Sequence, residues 1–457
     1  MKTVQLKERV LPVREYDVVV AGGGTGGVIA AIAAARQGAK TALVEVKGYV
    51  GGIAVEGGTA LHSFYNNYKG FGTPKTQIVK GIPQELIDRL IEHQGTFGHV
   101  EVEEGYDYDA VCTVIDTEIY KLVAHEMIEE AGVDMYLQTM MVSAQTQDGR
   151  IQGVVVSGHD GERYLAAKSF VDCTGYGDLC AAAGAEYTEP NDYDVANSMS
   201  LGGVDLKKFY DECVKNNAMF RQLVFADSPD GERNILRLQC SDIGIAELNQ
   251  EMRKIGMQVV FTAMRNSHVM FLKLNCRMPV SPTDTLAAAK SNLHLRKCQE
   301  AGVKLLRKYA PGFENAYIVR TSPSISIRRG RCIVCDKDLS PEEITSGTHF
   351  DDDVAVYGFH DVSPKYNINR GGSYGIPYRT LLPKGIENLY ATGMMITSDW
   401  VAHMSTRNTV SCMIQGQAAG VAAALCAQKN CASRDLEYPV LRQALLDQNV
   451  FLGRVEK

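Results

Sequence analysis

The 457-residue chain is predicted to be an α/β protein in which one nucleotide-binding domain, assembled from separated pieces, surrounds an inserted α+β cap. Three observations predict this. Tyr16–Gly27 reads as a buried strand entering a glycine-rich turn and a helix. The same strand, glycine turn and helix recur around Asp172–Gly175, and again from Leu389 to Cys426.

The first element is the most specific. Val18–Val20 form an apolar strand run, and Val28–Ala35 form a small-residue helix able to lie close against it. Between them Gly22, Gly24 and Gly27, with Thr25 opening the helix, satisfy GxGxxG. The first glycine permits the tight turn, the second lets a pyrophosphate approach, and the third brings helix and strand together. The helix N-terminus adds free N–H groups and a positive dipole end. The next strand, Thr41–Val44, ends in Glu45, about 20 residues past the turn, where a ribose-binding carboxylate belongs. This is a Rossmann-like start.

The following elements are read in order. Gly51–Gly52 leads into EGGTALHSFYNNYKGFGTP, too rich in glycine and aromatics for regular structure. Asp116–Ala131 has helical periodicity with Gly132 as its stop, and Met135–Val142 is predicted as the next strand. A hairpin turning at Asp148–Gly149 spans about Met140–Val156. A further strand ends at Asp172–Cys173–Thr174–Gly175 before an alanine-rich helix. Residues 190–375 are more charged and irregular, with a long helix over Thr285–Lys308 that should cover something, and read as the substrate region. Strand Leu389–Ala391, turn Thr392–Gly393 and helix Asn408–Cys426 return to the first pattern. The expected division is 1–65, 110–190 and 376–457 for the nucleotide domain, and 66–109 and 191–375 for the cap.

Composition excludes other classes. A net charge of −7 and a pI near 5.9 offer no basic stripe for nucleic acid. The charged N-terminus MKTVQLKERVLPVRE lacks a signal-peptide core, and no apolar run is expected to span a membrane, so the expected location is the cytoplasm. The 12 cysteines are therefore read as free thiols. Cys332 and Cys335 form a CxxC with no second pair nearby, in a segment that looks like a strand, so no metal site is expected.

Taken together, these pieces resemble the FAD-dependent oxidoreductases of the glutathione-reductase-like fold, in the branch related to fumarate reductase flavoproteins and the heterodisulfide reductase flavin subunit. The resemblance runs through YDVVVAGGGTGGVIAAIAAARQGAKTALVE, DTEIYKLVAHEMIEEAGV, FVDCTGYGDLCAAAGAE, Arg328 with Arg331, IPYRTLLPKGIENLYATG and STRNTVSCMIQGQAAGVAAAL. It implies a Rossmann-like FAD-binding domain with an inserted α+β cap. Gly22, Gly24 and Gly27 would hold the FAD pyrophosphate and Glu45 the adenosine ribose. Gly51–Gly52 would pass beside the flavin end, the backbone at Val142 would meet the adenine, and Thr174–Gly175 would close over the nucleotide, with the Gly393 turn completing the site. The helix starting at Asn408 and Thr409 would aim its amides at the flavin N1 and O2 region, stabilising the anionic reduced flavin.

The expected reaction is hydride transfer between flavin N5 and a small polar organic substrate, in either direction. NAD(P)H or a protein as electron partner and a homo-oligomer are compatible with the sequence, and no nucleic acid is expected. The alternative is a flavoprotein electron-transfer subunit working with a separate redox partner. Arg407 and Arg328 are candidate anion or flavin partners, with structural salt bridges as the alternative role. His403, placed on the loop before the last helix, and His62, after Gly51–Gly52, are candidate bases, and His62 is also a candidate covalent flavin anchor. For any single one a hydrogen-bonded structural histidine is the commoner role. Relatives often carry Asp–Ile–His upstream of IPYR. Here the sequence reads Asp361–Val362–Ser363, with His360 on the preceding side, and Cys335 stands where glycine is common. Tyr65, Tyr366 and Tyr374 are further candidate donors.

Overall fold

The computed structural model describes residues 10–56, 60–68, 75–105, 111–192, 194–361 and 365–455. Residues 1–9 of the charged N-terminus, 57–59 and 69–74 of the aromatic-rich stretch, and Val362–Ser363 lie outside them.

The first domain opens with β1 (Val13–Ala21), α1 (Thr25–Arg36) and β2 (Thr41–Val44), as the sequence predicts. Helix α2 (Thr117–Glu130) starts where the Asp116 side chain accepts the N–H groups of Glu118 and Ile119. The strand expected over Met135–Val142 is two strands, β3 (Asp134–Tyr136) and β4 (Met140–Gln147). Gln138 at φ 51° breaks the run, and its N–H goes to the Lys47 carbonyl instead of a ladder. Strands β5 (Arg150–Gly158) and β6 (Gly161–Asp172) follow. β3, β2, β1 and β6 lie side by side in parallel.

The long strand β6 does two jobs on its outer edge. Its first half pairs antiparallel with β5, and Phe170–Asp172 pair parallel with a strand from near the C-terminus.

The cap is an antiparallel sheet. Its strands are β7 (Asp194–Gly202), β8 (Met219–Asp227), β9 (Arg233–Asp242), β10 (Met257–Arg265), β11 (His268–Pro279) and, after α3 (Thr285–Tyr309), β12 (Tyr317–Thr321). The spatial order is β12, β7, β11, β10, β9, β8, with Glu104–Gly105 at the far edge. Helix α3, capped by Asp284, covers one face: Leu295, Val303 and Leu306 join Met199, Phe261 and Leu272 in a separate core.

The chain then returns to the first domain through β13 (Leu389–Ala391), α4 (Trp400–Thr406) and α5 (Thr409–Lys429). The hydrophobic cores divide the chain differently from the expected boundaries. Ile333–Tyr374 and the amphipathic helix Ile82–Glu92, expected in the cap, bury apolar side chains in the first core. The reason is local: Val354, Ala355, Val356 and Tyr357 are all buried in a strand paired with Tyr374–Pro377.

Contrary to expectation, α5 is long and apolar enough to cross a membrane. It is packed inside the first core, almost wholly buried. Its alanines and glycines let backbones touch. A methyl group on Gly416 would stand 2.2 Å from the Gly26 carbonyl oxygen, and one on Gly420 2.2 Å from that of Ala30. Because 26 faces 416 and 30 faces 420, α1 and α5 run parallel. In this register Thr25 is level with Gln415, so the N-terminus of α5 projects about 9 Å further than that of α1 at 1.5 Å per residue.

Candidate active site

At the first turn the three glycines have separable reasons. Gly22 has φ +94°, and a methyl there would stand 2.5 Å from the Cys173 carbonyl oxygen. One on Gly27 would stand 1.8 Å from the Gly22 carbonyl oxygen. Gly24, by contrast, has an ordinary φ of −68° as the cap of α1, and its nearest neighbour in that direction is the Cys173 oxygen at 3.9 Å. Protein packing requires glycine at 22 and 27, and leaves 24 bare on the side where a phosphate would approach. Among the described residues no side chain caps α1.

Glu45 is buried and fixed. It accepts the Gly23 N–H at 2.6 Å and the Lys47 N–H at 2.8 Å, and each oxygen keeps a further acceptor direction. Gly51 donates its N–H to the Gly23 oxygen at 2.8 Å, and a methyl on Gly52 would stand 2.9 Å from Gly24 Cα. The two glycine loops therefore cross. Val142 sits at a bulge in β4, where Met141 pairs with Val156 and Ser143 with Val155, so its backbone is outside the ladder.

Two residues to which the sequence reading assigns no role organise the rest. Asp172 accepts the Thr174 N–H (2.9 Å) and hydroxyl (2.7 Å), and the Cys180 N–H (2.8 Å), which folds the Thr174–Gly175 turn. Burial pushes its carboxyl up, against the pull of those bonds. Gln415 accepts the Gly393 N–H at 2.6 Å and donates to the Thr406 carbonyl at 2.9 Å, tying the Gly393 turn to α5 and α4. A buried glutamine in an otherwise apolar helix was the available signal.

Asn408 caps α5 in an unusual sense. Its amide group donates backward to the Met404 and Ser405 carbonyls at 3.1 and 3.0 Å, and among the described residues no side chain accepts from the first turn of α5. The amides following Asn408 and Thr409 are thus left for another acceptor. Bare Gly24, two uncapped parallel helix N-termini about 9 Å apart along their axes and the fixed Glu45 carboxylate fit an extended dinucleotide.

The expected catalytic residues are distributed unevenly. His403 lies on α4, not on a loop, because Asp399 caps a short helix there by accepting the Val401 and Ala402 N–H groups. Its Nε2 donates to the Arg328 carbonyl at 3.0 Å, and burial, with Arg407 and Arg329 nearby, pushes it down to about 3. His360 similarly donates to the Val401 carbonyl at 2.9 Å and is pushed down by burial to about 4. Both have the geometry of structural histidines. His62 differs: it is buried 5.1 Å from the Tyr120 ring, neither nitrogen has a hydrogen-bond partner among the described residues, and burial pushes it down to about 3.

Arg407 ends α4 instead of starting α5, and pairs with Asp361. Burial opposes ionisation of Asp361, but Arg407, Arg328 and Lys273 outweigh it and hold the carboxyl below its ordinary range. Arg329 instead pairs with Asp192 at 2.6 Å. Cys332 lies in a short strand against Tyr187–Thr188, and burial raises both CxxC thiols. Tyr374 is buried against the Ser405 hydroxyl at 2.7 Å, Tyr65 reaches the Pro83 carbonyl at 3.2 Å, and Tyr366 lies beside the His360 ring at 5.4 Å.

The model of the family described as FAD dependent oxidoreductase matches residues 17–445. The dihydrolipoyl dehydrogenase of Acholeplasma laidlawii is 33% identical over 126 residues, covering 27% of this chain and 32% of that protein. The thiamine thiazole synthase of Pyrococcus horikoshii is 28% identical over 176 residues, covering 36% of this chain and 58% of that protein. The matched stretches thus span less than two thirds of either relative. Among solved structures, GidA of Aquifex aeolicus has a TM-score of 0.49 at 16% identity, covering 91% of this chain and 64% of that one. A geranylgeranyl bacteriochlorophyll reductase-like protein from Thermoplasma acidophilum has a TM-score of 0.48 at 13% identity, covering 96% and 84%.

Proposed function

The chain belongs to the FAD-dependent oxidoreductase family, and from that premise we propose an enzyme that moves a hydride between flavin N5 and a small polar organic substrate under the cap sheet. FAD is its cofactor. Within the family, the six ordered sequence motifs support a place near the fumarate reductase and heterodisulfide reductase flavoproteins. The observation that carries the reading is the parallel, backbone-close pairing of α1 with α5, which sets two uncapped positive helix ends on one side of the molecule.

Bound FAD would supply the two-electron chemistry at N5. The chain's own residues do the holding. Gly24 and the N-terminus of α1 receive the pyrophosphate, Glu45 faces the ribose, and the first turn of α5 stabilises negative charge on the reduced ring. His403 and His360 position α4 through backbone carbonyls, which keeps Arg407 and Arg328 beside the same end of α5. A full antiparallel sheet over this end supports an enclosed substrate in preference to an electron-transfer subunit with an open flavin.

The test is an anaerobic absorbance titration with metabolite fractions, followed by reoxidation with oxygen or candidate acceptors. Bleaching by a small-molecule fraction is expected. Bleaching only by NAD(P)H or only by a reduced protein would move the reading to a reductase or an electron-transfer subunit. A preparation that takes up no flavin after reconstitution would refute it.

A further inference from the structure

One lysine in the cap sheet is out of place. Strand β11 reads Phe271–Leu272–Lys273–Leu274: Leu272 and Leu274 join the cap core, whereas Phe271 packs with Ala60 and Val260 on the opposite face. Alternation puts Lys273 on the Phe271 side, where Ser198 is its cross-strand partner. On the same sheet Arg237 is held by Thr262 at 2.9 Å and Gln222 at 3.2 Å. Arg328, leaving the cap, and Asp361 and Arg407, from the first domain, also act electrostatically on Lys273.

Asp361, a carboxylate that acts on Lys273, is already engaged by Arg407. Lys273 itself makes no hydrogen bond or ion pair among the described residues. The groups that act on it include Arg407 at the α4–α5 junction, the end of the site assigned above to the flavin. A half-buried amine there either gives up its proton or meets an anion that repays its desolvation.

We infer that Lys273 is the receptor for a carboxylate of the substrate, so that the enzyme acts on an organic acid. This rests on the flavin oxidoreductase reading and narrows its substrate class. The titration state agrees with the geometry. Burial, Arg328, Arg407 and Arg237 push Lys273 down to about 7, with Asp361 working the other way. His360, beside Asp361, stays neutral. An arriving carboxylate would favour the protonated amine, so binding near neutral pH should take up a proton.

The experiment titrates the purified holoenzyme with acetate, succinate and benzoate, each beside its neutral amide. Three signals are followed: the flavin spectrum, the fluorescence of the single tryptophan, Trp400 at the start of α4, and proton uptake reported by an indicator. At least one acid should bind at least about tenfold more tightly than its amide, with proton uptake. Lys273→Met should weaken that acid by about tenfold or more, the share of one charge-assisted hydrogen bond, and abolish the uptake. Lys273→Arg should keep the preference for the acid without the uptake, since guanidinium stays protonated. Equal binding of acids and amides, unchanged binding by Lys273→Met, or no binding by any of these probes would overturn the inference. Flavin absorbance on every sample separates the two failures. Flavin present without acid selectivity sinks this inference alone, whereas flavin absent sinks the proposed function, and the Trp400 signal still reports on the acids.

Discussion

Gly416 meets the carbonyl of Gly26 so closely that a single methyl group would lie 2.2 Å from that oxygen. Gly416→Ala must therefore push α5 away from α1 and carry the N-terminus of α5 with it. Overpacking of this kind costs roughly 1–3 kcal/mol. Thermal melting and retained flavin should both fall; a variant with unchanged Tm and full flavin content would show that the helices can part freely.

Gly24 and Gly27 should behave oppositely when changed to alanine. At Gly24 the nearest atom is 3.9 Å away and φ is −68°, so Gly24→Ala should leave the stability of the flavin-free protein within about 0.5 kcal/mol while FAD affinity drops. Gly27→Ala, with its clash at 1.8 Å, should unfold the domain. Denaturant melts of stripped protein, beside FAD titrations, test the pair, and equal damage by both would refute the assignment of Gly24 to a ligand.

The buried histidines predict acid sensitivity. His62 and His403 are pushed from 6.5 to about 3, and His360 to about 4. Below pH 6.5 the unfolded chain takes up protons that the folded protein refuses, so stability must fall as pH drops from about 6.5 to about 4. Each histidine contributes about 1.4 kcal/mol per pH unit once fully protonated in the unfolded state. His403→Gln keeps an N–H for the Arg328 carbonyl and should remove one histidine's share of the slope. Urea melts between these pH values measure it, and a flat profile would contradict the burial.

Asp361→Asn isolates the carboxylate that acts most on Lys273. Asp361 is the group that raises Lys273, while burial and the arginines lower it. Its neutralisation should shift the midpoint of Lys273 protonation to lower pH and enlarge the proton uptake on binding an organic acid near neutrality. Uptake followed across pH in both proteins decides the point; no shift would mean that Asp361 and Lys273 do not share a field.

The nucleotide-binding elements were legible because each couples a local period to a local stop. Val18–Val20 enters Gly22, Asp116 caps α2, and Gly132 follows its end. The short helix α4 was not legible: its seven residues offer little periodicity, and only Asp399 marks its start. Gln138 split a strand because the pull of the Lys47 carbonyl comes from across the fold. Segment 333–376 looked irregular in sequence, yet its apolar side chains answer to α5 and not to the cap. Lys273 went unmarked because one charge in an alternating strand ordinarily means a solvent-facing side. Here that side faces another domain.

Phe170 is paired on one edge with Val19 and on the other with Leu389. During synthesis the first partner leaves the ribosome early and the second only after the whole cap has been made. Until then β6 offers a bare parallel edge, and the apolar lane on α1 that will receive α5 lies open as well. The growing polypeptide therefore carries an incomplete, sticky half-domain through most of its translation. A chain truncated before Leu389 would keep that edge and should aggregate, while adding residues 389–429 back as a separate fragment should rescue its solubility.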